Sequence, residues 1–150
     1  MIAPSLPRWQ NSGFAYQGTS YRTPTGQLII VHRPFVPVHL FANEKRSPVP
    51  VYALLDSGCD RVIFPADLSA LVGIVDFRSG QQAKAIGVSG QPQDVFEHQL
   101  ALRIVGDTRL LPLAVGFSNE VPLPLLGRSF FAQFKVIMFK ESEREVELIF

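Results

Sequence analysis

The chain has a single cysteine, Cys59, so no disulfide can form within it, and neither a Cys-x-x-Cys zinc site nor a redox pair can be built. That usage fits a reducing compartment. A charge excess is also lacking: 14 Lys and Arg face 13 Asp and Glu, with no basic block or stripe that would neutralise a row of phosphates. Nucleic acid is therefore not an expected partner. No uninterrupted apolar run reaches the roughly 20 residues of a membrane span. The opening MIAPSLPRWQNSGFAYQG has one early Arg and two prolines but no apolar core of a signal peptide. The expectation is a soluble, cytoplasmic protein.

Several chemistries lack their residues. There is no Gly-x-x-x-x-Gly-Lys-Ser/Thr or Gly-x-Gly-x-x-Gly run to cradle a nucleotide. His32, His39 and His98 have no metal-ligand spacing, and neither metal nor cofactor is expected. GVSGQ is one residue short of the Gly-x-Ser-x-Gly elbow, since its second glycine follows the serine directly.

What is present is a 150-residue chain with 47% hydrophobic residues, enough for one sizeable core and one domain. From Met1 to about Gly26 the chain is rich in Ser, Thr, Gly, Pro and Gln, which predicts an irregular arm that also holds Trp9, the only tryptophan. The division expected is an N-terminal extension over residues 1–34 and a folded domain over 35–150. QLIIVHR, FVPVHLFA and PVYALLD are short strand-like runs separated by proline-bearing breaks. RVIF reads as a further strand, and PADLSALVG as a helical turn opened by Pro65 and closed by Gly73. AKAIGVSGQPQDVFEHQLALRIV reads as a hairpin with a glycine tip, in which Leu100, Leu102 and Ile104 alternate with Ala101 and Arg103. RLLPLAVGF, VPLPLLG, KVIMF and EVELIF are strand-like, and RSFFAQF is a short helical patch. The fold class expected is all-β.

ALLDSGCD, Ala53 to Asp60, runs from apolar strand residues straight into an acid. A carboxylate ending a buried strand loses hydration, at a cost of several kcal/mol unless hydrogen bonds compensate. Ser57 offers a hydroxyl, and Gly58 lets the backbone N–H approach the carboxylate. By itself, though, Asp-Ser-Gly is also an ordinary turn tripeptide.

Taken in order, ALLDSGCD, AIGVSG and PLLGRSFF resemble the motifs of the retropepsin family of aspartic proteases, with a likeness running from about Phe35 to Phe150. The resemblance implies a single-lobe, all-β acid-protease barrel in which Asp56 is the catalytic aspartate. Ser57 and Gly58 would complete the Asp-Thr/Ser-Gly signature. Gly87, Val88, Ser89 and Gly90 would form the flap over bound peptide, and LLGR would pack beneath the catalytic loop. Asp60 and Arg128 fall where viral members place a paired acid and arginine, so the two are expected to touch. Val62, Ile63, Val88 and Leu125 would line pockets for apolar side chains. Two residues depart from the pattern: Ser129 stands where Asp or Asn is common, and Cys59 where Ala is common. Cys59 is read as a small hydrophobe rather than a nucleophile.

The chain carries one Asp-Ser/Thr-Gly triplet, whereas the chemistry needs two carboxylates sharing a proton. The resemblance thus implies a homodimeric endopeptidase acting on peptide or protein substrates without metal or cofactor. EVELIF, with Val146, Leu148 and Phe150 on one face, is expected to be an unpaired terminal strand available to a second chain. The arm could add a strand or cover the sheet edge. The competing class is a dimeric peptide-binding or assembly module that kept the fold and lost turnover.

Overall fold

In FVPVHLFA every second side chain turns inward: Val36, Val38 and Leu40 are completely buried and their neighbours are not, the period of a strand with one face on a core. The same alternation buries Val51, Ala53 and Leu55 one strand further on. The structure is a computed structural model describing residues 11–87 and 89–150; Trp9 and Val88 lie outside the described residues.

Three strands precede that core strand: β1 (Asn11–Ala15), β2 (Gln17–Arg22) and β3 (Leu28–Arg33). Then come β4 (Phe35–Ala42), β5 (Lys45–Arg46), β6 (Val51–Leu55) and β7 (Val62–Pro65). Two short 3-10 helices, Ala66–Val72 and Phe77–Ser79, lead to β8 (Gln81–Ile86), the long β9 (Pro92–Ile104) and β10 (Leu111–Ser118). The two-residue β11 (Leu125–Leu126), the helix α1 (Arg128–Phe131), β12 (Val136–Lys140) and β13 (Glu145–Ile149) complete the order. The first 3-10 helix starts after Pro65 and ends at Gly73, whose φ of +77° is the left-handed conformation that releases the chain from a helix.

Strands β4, β6, β11, β7, β10 and β9 pair in that order, and β4 pairs back onto β9 through Val38↔Ile104 and Leu40↔Leu102. The sheet is thereby closed into a six-stranded barrel, which leaves no raw edge among those strands. Its interior holds Phe64 and Phe117, edge to face at 6.5 Å between ring centroids, a geometry worth about 0.5–1.5 kcal/mol beyond area burial. Strand β8 hangs from the barrel on β9 alone, making the hairpin β8–β9. The all-β reading is correct, with helix confined to short turns.

The arm and the last strand depart from expectation. Residues 11–33 are not irregular: β2 and β3 form a two-stranded hairpin, and β1 pairs along β13 from Asn11↔Ile149 to Ala15↔Glu145. Tyr16, buried in the main cluster, anchors this segment by donating from its hydroxyl to Glu141 Oε1 at 2.8 Å. Strand β13 is therefore not an unpaired terminal strand. It is the middle of a three-stranded sheet, β1–β13–β12, with Val146 and Leu148 completely buried. The alternation was read correctly, but it signals a face on this chain's own core. Of the two uses open to the arm, β1 takes the first, adding a strand beside β13. The two edge strands of this sheet are β1 and β12, and on β12 Val136 and Met138 are exposed.

Candidate active site

Strand β11 lies between β6 and β7, parallel to the first and antiparallel to the second. The β6–β11 ladder continues one rung past Leu55, with Asp56 N–H donating to Leu126 O at 3.0 Å. There the chain turns away, closed by a bond from Cys59 N–H to Asp56 O at 3.2 Å. The carboxylate is half-buried and accepts from Gly58 N–H at 2.9 Å through Oδ1. A Cβ on Gly58 would stand 3.2 Å from that oxygen, so glycine leaves the approach unobstructed. Ser57 is exposed and its hydroxyl bonds no other described residue.

The turn rests on the start of α1. A helix leaves its first N–H groups without intrahelical partners. Here Gly127, Arg128 and Ser129 donate theirs to the carbonyls of Arg61 (3.1 Å), Cys59 (2.7 Å) and Asp60 (3.0 Å). Three orphan donors thus hold three loop acceptors, which fixes the loop carrying Asp56. The ion pair expected between Asp60 and Arg128 is not among the salt bridges of the described residues; both side chains are exposed, and the link between their segments runs through backbone. The Ser129 hydroxyl is buried without a hydrogen-bond partner among the described residues.

A cleft of about 690 Å³ opens between this loop and the hairpin β8–β9, with Asp56, Asp60, Ile63 and Leu125 on the loop side and Ala85, Ile86 and Gly87 on the hairpin side. The hairpin tip is closed by Gly90 N–H donating to Gly87 O at 3.0 Å, and Gly90 has a φ of +74°, a conformation costly for any side-chain-bearing residue. Ser89 is exposed there; Val88 is outside the described residues. Of the pocket residues expected, Ile63 and Leu125 line the cleft, but Val62 does not. It is completely buried in the barrel, because successive strand residues point to opposite faces and Ile63 takes the cleft side.

Cys59 packs with Ile63, Val95, Val121, Ala85 and Leu125 in a small cluster under the cleft. Burial pushes its thiol above the usual range, which keeps it protonated and poorly nucleophilic. Sequence reasoning missed Arg61 and Glu97, which pair across the cleft wall between the loop and β9. Nothing in their separate neighbourhoods signals the pairing, which depends on barrel closure. Among the described residues no group of three His, Cys, Asp or Glu is placed to hold a metal ion, and no helix is long and apolar enough to cross a membrane.

No protein-family model matches the chain, and no curated protein matches it in sequence. Solved structures do. A retropepsin-like aspartic protease from Rickettsia conorii superposes with a TM-score of 0.57 at 12% identity, covering 97% of this chain and 97% of that one. The protease of EIAV, solved with an inhibitor, gives a TM-score of 0.51 at 19% identity over 67% of this chain and 86% of that one. The retroviral protease-like domain of Ddi1 from Leishmania major gives 0.50 at 16% identity over 75% and 84%. The barrel, the loop bearing Asp56 and the overhanging hairpin define the retropepsin-like fold. This chain has that fold.

Proposed function

We propose that the protein is an aspartic endopeptidase that works as a homodimer, with one Asp56 from each chain. The observation that carries this reading is the placement of Asp56: its carboxylate opens into a cleft roofed by a glycine-tipped hairpin, held by Gly58 N–H, on a retropepsin-like fold. Two such carboxylates facing each other cannot both ionise, so they share one proton. The ionised one takes a proton from a water molecule as it attacks the scissile carbonyl. The protonated one donates to the developing oxyanion, and a proton then passes to the leaving amine.

A single protomer carries one Asp-Ser-Gly carboxylate, so its counterpart comes from a symmetry mate. The exposed Ser57 hydroxyl, without a partner among the described residues, is available to tie the two Asp56 loops together. Strand β12 supplies a free edge with Val136 and Met138 exposed, so dimer pairing is assigned to β12 rather than to β13. Substrate lies extended between hairpin and loop, adding backbone hydrogen bonds as a strand would and placing apolar side chains against Ile63 and Leu125. Gly87, Ser89 and Gly90 form the roof that closes over substrate, while Asp60 and Arg128 support the loop.

The test is cleavage of a mixed peptide library from acidic to neutral pH by the unmodified protein and by Asp56→Asn, with products identified by mass spectrometry. Cuts made by the first and lost in the second are the expected result. A folded, dimeric protein that cuts nothing would overturn the proteolytic reading in favour of peptide binding without turnover.

A further inference from the structure

The cleft contains charges that the proposed chemistry does not use. Among the described residues that line it, only Arg61 and Lys84 are cationic, against Asp56, Asp60 and Glu97. Both cations are occupied. Arg61 Nη1 is bonded to Glu97 Oε1, and Lys84 Nζ to Asp94 Oδ1. The two pairs differ in setting. Lys84 and Asp94 are well exposed on the outer hairpin, where solvent screens them. The Glu97 side chain is only 18% exposed, on β9 between Gln81 of β8 and Gly116 of β10, and its partner Arg61 emerges from the residue directly after Asp60. Asp60, exposed, has no ion-pair partner among the described residues.

We infer that Glu97 is a specificity-determining residue: by holding the Arg61 guanidinium against the cleft wall, it closes the cleft to acidic side chains of a bound peptide. A guanidinium is a planar, always charged group suited to bidentate capture of a carboxylate. Left free beside the floor formed by Ile63 and Leu125, it would receive a Glu or Asp of the substrate. With its charge answered by Glu97, an entering carboxylate meets instead the negative charges of Glu97 and Asp60. Rejection by like charge is a repulsive element of the kind by which specific sites discriminate. The cleft therefore takes neutral, apolar side chains at this wall.

This inference rests on the reading of the cleft as a peptide site, but its test does not need turnover. In an Asp56→Asn background, binding of fluorescent extended peptides is followed by anisotropy, using pairs identical except for Glu or Gln at each position in turn. The expected result is that Glu97→Gln raises the Glu-to-Gln affinity ratio at one position by about fivefold, the scale of a partly exposed charge pair. The rise should be confined to that position, whereas loss of a merely structural support would weaken Glu and Gln peptides alike and leave every ratio unmoved. Adding Arg61→Met to Glu97→Gln should return the ratio to its starting value. A ratio unmoved by Glu97→Gln, a gain that survives Arg61→Met, or no saturable binding of any peptide would each overturn the inference. The proteolytic reading is judged separately, by whether cuts made by the unmodified chain vanish with Asp56→Asn.

Discussion

Gly127 passes so close to Arg61 that a Cβ built on it would stand 2.2 Å from the Arg61 carbonyl oxygen, and 2.3 Å from that of Cys59. The obstacle is backbone on both sides and cannot swing away. Gly127→Ala must therefore push the Asp56 loop off the start of α1 and break the bonds from Gly127 and Arg128 N–H. The expected cost is about 3 kcal/mol in urea unfolding, at the upper end for overpacking, with cleavage lost even where the fold survives. Wild-type stability in this variant would show that the loop is not held as described.

On the proposed homodimer, Ser57→Ala separates effects on the protomer from effects on association. The hydroxyl is exposed and bonds no other described residue, so stability of the isolated protomer should move by less than about 0.5 kcal/mol. Association, followed by sedimentation velocity, should weaken, and peptide cleavage should fall with it. Unchanged association would remove Ser57 from the dimer contact.

Met138→Lys tests the edge assigned to that contact. Met138 is 42% exposed on β12, and a lysine on an edge strand is a known deterrent to pairing. The dimer dissociation constant should rise by roughly tenfold or more, while the protomer unfolds at nearly the same urea concentration. An unaltered dissociation constant would place the interface elsewhere.

Tyr16 gives a pH dependence with a definite sign. Burial, reinforced by the hydrogen bond to Glu141 and the charge of that carboxylate, pushes its hydroxyl up to about 12 from a starting value of 10.0. The folded state thus holds the proton more tightly than the unfolded one. Its stabilisation is complete below about pH 10 and is lost as pH rises towards 12. Tyr16→Phe should cost about 1 kcal/mol at pH 8 through the lost hydrogen bond. It should also flatten the fall in stability between pH 10 and 11.5, measured by urea titration at each pH. An equally steep fall in the variant would assign it to other groups.

Local chemistry was legible in the sequence because it is written in adjacent residues. Val36, Val38 and Leu40 declare their face by period, Gly73 declares a helix end, and Asp56, Ser57 and Gly58 declare a held carboxylate. Pairings that arise only on closure were not legible. The alternation of Val146 and Leu148 marks a buried face without saying whose core buries it, and β1 supplies the neighbour from residues that look like loop. The parity of Val62 and Ile63 is equally silent until β7 is seated between β11 and β10. Arg61 and Glu97 belong to this second kind, being joined by the barrel rather than by any motif. In place of the expected Asp60–Arg128 ion pair, the described residues show a backbone link, Arg128 and Ser129 N–H donating to the Cys59 and Asp60 carbonyls.

The pairing of β1 with β13 also sets a timetable. Phe14 finds its partner in Val146, whereas the barrel closes through nearer pairs such as Val38 and Ile104. Contacts so distant along a chain are the slowest to form. The barrel can therefore close before the sheet of β1, β13 and β12 is complete. On the proposed reading, the edge offered to a second chain is the last part of the protomer to be finished, so partnership waits for folding to end.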